Sequence, residues 1–308
     1  MGKTACVFPG QGSQYVGMGK DLYEGNAEAH ALFDRADQIL GFSIGKVCFD
    51  GPDEELKQTK NTQPAIFLHS IVLFHLLKNK QFDMAAGHSL GEYSALVAAG
   101  ALTFEDGLKL VRRRGELMQQ AGSECPGTMA AIVGLSPAVV NELCTEASSV
   151  GIVQAANYNS PGQIVISGSL EGVRNAMVMA KARGAKIVKE LPVSGAFHSP
   201  LMANARAGLA AVLEKVEIRD AVLPVYANVT ARPVRAAKDI RMLLVQQLTD
   251  PVRWEDSVAG MAADGASVFV EIGPGKVLQG LVKRICSTVA TEGVETLNDI
   301  SVRNEHRV

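Results

Sequence analysis

One stretch constrains this chain more than any other. The short apolar run Phe82–Ala86 passes straight into Gly87-His88-Ser89-Leu90-Gly91, and helical pattern resumes over 92–99. The five residues fit G-x-S-x-G, and a strand before with a helix after is the context that motif requires. A serine so placed sits on a sharp turn at the edge of a sheet, flanked by glycines because the turn is strained and its backbone crowded. The following helix aims its N-terminal dipole and free N–H groups at the site, where they stabilise a developing oxyanion. Ser89 is thus a candidate nucleophile, against the plainer alternative of a Gly-flanked turn with a surface serine.

The rest of the chain fits that frame. A strand over 5–8 ends at a Gly-rich loop from Gly10 to Gly19, and an amphipathic helix follows over 28–40. After a polar stretch, an apolar helix is expected over 64–79, then the strand and turn just described, then helices over 92–99 and 104–120. Strands joined by helices in this order indicate an α/β fold with a largely parallel sheet. Residues 127–196 differ: strand 128–133, helix 137–147, strand 152–157, strand 162–167, helix 170–183 and strand 185–191. The order β-α-β-β-α-β is that of a ferredoxin-like unit, with the Asn159-Ser160-Pro161-Gly162 turn joining its middle strands. The expected organisation is a large domain over 1–126 and 197–308, with a small ferredoxin-like domain inserted at 127–196. Two further strands fall near 222–228 and 267–272. The polar tail after about Asn298 is expected to be loose.

Composition narrows the function. Of 308 residues 47% are hydrophobic, which excludes general disorder, and 30 Lys+Arg against 32 Asp+Glu give −2, which argues against a nucleic-acid binder driven by bulk charge. Five cysteines lie far apart without C-x-x-C spacing, so neither a disulfide framework nor a zinc site is expected; a reducing cytoplasm fits. No charged segment precedes a long apolar core, so no signal peptide is expected. The apolar stretch from Ala65 to Leu77 is broken by His69, Ser70 and His75 and is too short to cross a bilayer. A soluble monomer is expected.

A serine nucleophile needs a base. Of six histidines, His30, His69 and His75 lie in helices where core or boundary roles suit them, and His306 lies in the tail. His88 adjoins the serine, so its side chain diverges from Oγ and suits a local hydrogen bond. His198 remains, in the loop Val193–Pro200 where the small domain returns to the large one. An α/β-hydrolase would also place an acid between Ser89 and His198. Glu105, Asp106, Glu142 and Glu171 fall in helical contexts and only Glu190 lies near a strand end; none stands out. A Ser–His dyad oriented by some other group is preferred. Arg114 lies three or four residues from Leu110, Val111, Leu117 and Met118, on the apolar stripe of its helix, while Arg112 and Arg113 face elsewhere. An arginine there needs an anionic partner, either a structural carboxylate or the carboxylate of an acidic substrate. Gly10-Gln11-Gly12 lacks the third glycine of a dinucleotide fingerprint and the Gly-Lys-Ser/Thr of a phosphate loop, and Gly273-Pro274-Gly275-Lys276 is a weak phosphate signal; each is more often a tight turn than a ligand cradle.

Taken together, Gly10-Gln11-Gly12-Ser13-Gln14, Gly87 through Ala95, Arg114-Gly115, Asn157 through Gln163, Phe197-His198-Ser199 and Gln247 through Pro251 resemble the malonyl-CoA:acyl carrier protein transacylases. The likeness runs from about Thr4 to Asn298 in the family's order. It implies an α/β-hydrolase-like core with a ferredoxin-like insert, Ser89 as nucleophile and His198 as its base. It further implies that the backbone carbonyl of Gln247 orients the imidazole in place of an acid, that the N–H groups of Gln11 and Leu90 form the oxyanion hole, and that Arg114 holds the malonyl carboxylate. Met118, Phe197, Asn157 and Asn159 would contact the substrate. The implied activity moves a malonyl group from malonyl-CoA to acyl carrier protein for fatty-acid synthesis, with no metal or redox cofactor. A serine esterase or thioesterase on the same turn is the alternative; a non-enzymatic carrier-docking module would leave Ser89 and His198 unexplained. Lys276, Lys283 and Arg284 form a basic cluster suited to an acidic carrier, or else an ordinary solvated face.

Overall fold

The computed structural model describes residues 2–78 and 81–305. From the N-terminus, β1 (Lys3–Phe8) is followed by α1 (Lys20–Gly25), α2 (Ala27–Leu40), α3 (Ile44–Asp50), α4 (Asp53–Leu56) and α5 (Thr59–Leu76). Then come β2 (Met84–Gly87), α6 (Gly91–Ala98) and α7 (Phe104–Glu124). β1 and β2 are buried because they lie at the centre of a six-stranded sheet, and their near-continuous apolar runs reflect cover on both faces.

A second sheet is built from β3 (Gly127–Val133), α8 (Pro137–Ala147), β4 (Val153–Ser160), β5 (Gln163–Ser169), α9 (Leu170–Ala182) and β6 (Ile187–Glu190). Its spatial order is β4-β5-β3-β6 with every neighbour antiparallel, the order of a ferredoxin-like unit. It has its own core, in which Ile132, Leu143, Ile166 and Val173 meet. The chain then returns through α10 (Ala203–Leu213), β7 (Val225–Tyr226), β8 (Pro233–Val234), α11 (Ala237–Gln246), α12 (Trp254–Ala263), β9 (Ala266–Ile272), α13 (Val277–Ile285), β10 (Ala290–Val294) and α14 (Leu297–Glu305). The large sheet has the order β10-β9-β1-β2-β7-β8, parallel except where β8 turns back on β7.

Two expectations need correction. The tail is not loose up to residue 305: α14 buries Ile300, Arg303 pairs with Glu292, and Asn304 Nδ2 donates to the Leu76 carbonyl at the end of α5. Two apolar anchors, Ile300 and the partly buried Leu297, and side-chain hydrogen bonds hold this helix, too few apolar positions for periodicity to detect. His306 and the expected helix end at Asn79 lie outside the described residues. α5 also begins five residues before Pro64, the expected start. Pro64 has no N–H to return to the Lys60 carbonyl, and Arg112 Nη1 supplies a donor there instead, at 3.0 Å. Among the described residues no helix is long and apolar enough to cross a membrane. All five cysteines are free.

Candidate active site

The turn between β2 and α6 places Ser89 at φ 51°, in the left-handed region, at the C-terminal edge of the large sheet. Its flanking glycines answer to steric need. A Cβ on Gly87 would lie 1.8 Å from the Gly91 carbonyl carbon, and one on Gly91 would lie 2.1 Å from the Phe8 carbonyl oxygen. No larger residue fits either position, so the turn presses directly on β1. α6 begins two residues after Ser89, so the positive end of its dipole lies beside the site, while its first three N–H groups close onto the carbonyls of His88, Ser89 and Leu90.

His198 arrives from the loop after β6, also at a positive φ of 56°. Its Nε2 lies 2.8 Å from Ser89 Oγ. On the other side its Nδ1 is 2.7 Å from the Gln247 carbonyl oxygen and 3.2 Å from that of Asp250. Carbonyl oxygens only accept, so Nδ1 carries the proton and Nε2 presents its lone pair to the serine hydroxyl. Burial, aided by the nearby Arg114 charge, pushes the His198 pKa down to about 3, so the imidazole is the neutral, basic form at neutral pH. Gln154 Nε2 fixes the His198 backbone by donating to its carbonyl at 2.8 Å. None of the five acids weighed from sequence hydrogen-bonds His198; Glu105, Glu142 and Glu190 pair with Arg35, Arg183 and Arg174 at the surface.

Arg114 is fully buried on α7, as its place on the apolar stripe requires. Its Nη2 donates to Ser89 Oγ at 3.0 Å and to Gln247 Oε1 at 2.9 Å, while Nε and Nη1 have no protein partner. No carboxylate pairs with it directly among the described residues. Gln247 therefore acts twice, through its backbone on His198 and through its side chain on Arg114. Sequence reasoning assigned only the first.

A cleft of about 220 Å³ opens between the two sheets over these groups. Gln11, Leu90, Met118, Asn157, Asn159 and Phe197 all line it, so every candidate contact residue from the sequence is at its wall. Asn159 Oδ1 also lies 2.8 Å from His88 Nε2, which turns that histidine away from Oγ as its adjacency to Ser89 demands. Two residues escaped the sequence. Asn228 Oδ1 accepts the Ser89 N–H at 2.7 Å and Asn228 Nδ2 donates to the Gly87 carbonyl at 2.7 Å, clamping both arms of the turn. Glu92 accepts from Asn228 N and Gln247 Nε2. The available signals were a polar residue just past the C-terminal end of a parallel strand, and a lone charge in the otherwise uncharged helix α6. The described residues hold no group of three or more His, Cys, Asp or Glu able to hold a metal ion.

Comparison with known proteins gives the family. Residues 5–301 match the family model of the acyl transferase domain. The malonyl CoA-acyl carrier protein transacylase of Bacillus subtilis is 47% identical over 303 residues, covering 96% of each chain. The solved transacylase of Coxiella burnetii superposes with a TM-score of 0.95 at 40% identity, over 99% of this chain and 97% of that one. A malonyl-transacylase solved in complex with a type II PKS acyl carrier protein gives 0.94 at 40% identity, over 99% of this chain and all of that one. The chain thus belongs to the acyl transferase domain family, among the malonyl CoA-acyl carrier protein transacylases.

Proposed function

We propose that this enzyme moves the malonyl group from malonyl-CoA to the phosphopantetheine thiol of acyl carrier protein through an ester on Ser89. The observation that carries the substrate assignment is Arg114: a buried guanidinium at the cleft wall whose Nη2 reaches the serine hydroxyl, with no carboxylate of its own and with Nε and Nη1 buried without a hydrogen-bond partner. Malonyl-CoA offers a carboxylate beside its reacting carbonyl, and a planar fork suits it. A plain esterase would leave that buried charge without a purpose.

His198 Nε2 takes the Ser89 proton as Oγ attacks the thioester carbonyl. The backbone N–H groups of Gln11 and Leu90 receive the tetrahedral oxyanion, a contact worth ~2.7–4 kcal/mol per donor removed. The imidazolium then protonates the departing coenzyme A sulfur, leaving malonyl-Ser89. In the second half the carrier's thiol gives its proton to His198 and attacks the ester, and the proton returns to Oγ as the serine leaves. Met118 and Phe197 bound the acyl group, and Asn157 and Asn159 line its approach. The scheme uses no bound cofactor. Residues 127–196 act as a small domain set into 1–126 and 197–308, so that the cleft is walled by both units. Free cysteines suit a reducing cytoplasm.

Mass spectrometry of the intact protein tests the reading. Malonyl-CoA should add one malonyl group, absent in Ser89→Ala, and acyl carrier protein should discharge it faster than water does. Labelling that persists in Ser89→Ala, or discharge by water at the carrier's rate, overturns the assignment.

A further inference from the structure

Glu92 lies beneath the nucleophile and has no task in the scheme above. It is 3% exposed, in the first turn of α6. Its Oε2 accepts the Asn228 backbone N–H at 3.0 Å and Gln247 Nε2 at 2.7 Å. A glutamine side chain has a donating end and an accepting end, and its partners decide which faces where. An ionised carboxylate only accepts, so it admits the NH₂ end of Gln247 alone. The same NH₂ end also donates to the Ser89 carbonyl at 3.0 Å and to Asn228 Oδ1 at 3.3 Å, so Glu92, its shortest and only charged acceptor, acts with them to turn Oε1 to Arg114, whose Nη2 also reaches Ser89 Oγ. On its other flank Glu92 holds the Asn228 backbone, and the Asn228 side chain clamps Ser89 and Gly87.

Separation of Glu92 from Arg114 by a neutral amide has a chemical consequence. A guanidinium paired directly with a carboxylate has its fork occupied. One tethered by an amide oxygen keeps charge and donors for a second anion. We propose that Glu92 is a positioning residue for acyl-group selection: through the Gln247 amide it holds Arg114 against Ser89 while leaving the remaining guanidinium donors to the acyl carboxylate. The proposal rests on the substrate role of Arg114 given above.

Protonation supports the same assignment. Burial raises the Glu92 pKa to about 7, against the pull of the Asn228 N–H, the Gln247 amide and the Arg114 charge. The titratable groups around it behave otherwise: Tyr93 on α6 is pushed up to about 12, burial lowers His88 and takes His198 to about 3, and burial also lowers Arg114 on α7, against the charges of Tyr93 and Glu92, yet a guanidinium stays charged. Across neutral pH, Glu92 is therefore the member of this cluster whose charge changes.

The test is kcat/KM for Ser89 acylation by malonyl-CoA and by acetyl-CoA in wild type, Glu92→Ala, Arg114→Ala and the double variant. Loss of the tether should lower the malonyl-to-acetyl ratio about 10- to 100-fold in Glu92→Ala, the scale of a displaced binding group. The same change in the Arg114→Ala background should alter the ratio no further. Equal losses with both substrates, or an undiminished effect without Arg114, overturn the proposal. If Arg114→Ala alone leaves the ratio unchanged, the substrate role of Arg114 falls and this proposal with it. If Arg114→Ala shifts the ratio and Glu92→Ala does not, only the assignment of Glu92 falls. Glu92→Gln retains an acceptor oxygen and gives a second reading should the alanine variant not fold. The wild-type ratio should decline as pH drops through about 7, and Glu92→Gln should be flat there; an unaltered pH profile in that variant also overturns the proposal.

Discussion

At the scale of single residues, the site depends on side chains held in positions they would not choose alone. Ser89 and His198 both occupy the left-handed region, a cost that persists only where surrounding contacts over-determine it. For Ser89 those contacts are the Asn228 clamp; for His198 they are two backbone carbonyls and Gln154. Arg114 is the residue whose removal distinguishes chemistry from support. Truncating one member of a buried charge pair typically costs ~2–5 kcal/mol, roughly 30- to several-thousand-fold. Arg114→Ala should lose that much kcat/KM with malonyl-CoA, while acetyl-CoA, with no carboxylate to leave unpaired, should hold or improve. Methylmalonyl-CoA should be discriminated against less than acetyl-CoA, because a methyl branch is worth only ~1–3 kcal/mol in an apolar pocket. An equal loss with all three would make Arg114 a structural residue. Ser89, His198 and Arg114 were legible because a motif, an elimination among six histidines and a charge on an apolar stripe each left a trace. The Gln247 amide, Asn228 and Glu92 left little trace, because their importance comes from partners more than a hundred residues away.

Among the elements, α5 shows how packing overrides local preference. Fifteen of its eighteen residues are buried, so it has no polar face, and it accommodates Pro64 inside its second turn. Arg112 makes this possible. Its Nη1 donates to the Lys60 carbonyl and to Asn61 Oδ1, its Nε bonds Glu116, and its guanidinium lies 4.7 Å over the Phe42 ring. Arg112→Ala should therefore destabilise the fold by roughly 1–3 kcal/mol, the cost of stranding a partly buried carbonyl and losing a charge-assisted bond. Urea unfolding followed by circular dichroism measures this, and the malonyl-to-acetyl ratio should stay at the wild-type value, since Arg112 points away from the cleft. A variant as stable as wild type would show that the Lys60 carbonyl needs no such donor. Long periodic segments such as α2, α7 and α8 were readable from sequence to within a few residues. The strand expected near 222–228 is there but pairs over two residues only, as β7; the two-residue strand β8 and the short helices α1, α3 and α4 were not readable, for they carry too few turns or alternations to stand out from loops.

For the whole molecule, the cleft lies between two sheets, the smaller of which has a core of its own on one face and packs Met129, Ala156 and Val165 into the main core on the other, and α13 forms part of the cleft's rim. Val277, Leu278 and Leu281 line the cleft, while Lys276, Lys283 and Arg284 are exposed. Helical geometry divides that basic group. Lys276 stands at the N-cap of α13 and Lys283 in its last turn, whereas Arg284 lies nearly in line with Val277 on the helix itself. Arg284 accordingly reaches across to Gln163 Oε1 on β5, itself a cleft residue, and is tied to the substrate path. Lys276 and Lys283 have no ion pair among the described residues. With a net charge of −2 overall, attraction for an acidic carrier has to be local, and these two lysines beside the rim are placed to provide it. Reversing both to glutamate should raise the KM for acyl carrier protein roughly three- to tenfold, the scale of a few exposed ion pairs, and leave that for malonyl-CoA near wild type. Added salt should raise the wild-type KM for the carrier and have much less effect on the reversed variant, because exposed charges are screened beyond a Debye length. Arg284→Glu should instead disturb both substrates through Gln163. Equal changes for carrier and malonyl-CoA in the lysine variant, or none at all, would place the docking surface elsewhere on the molecule.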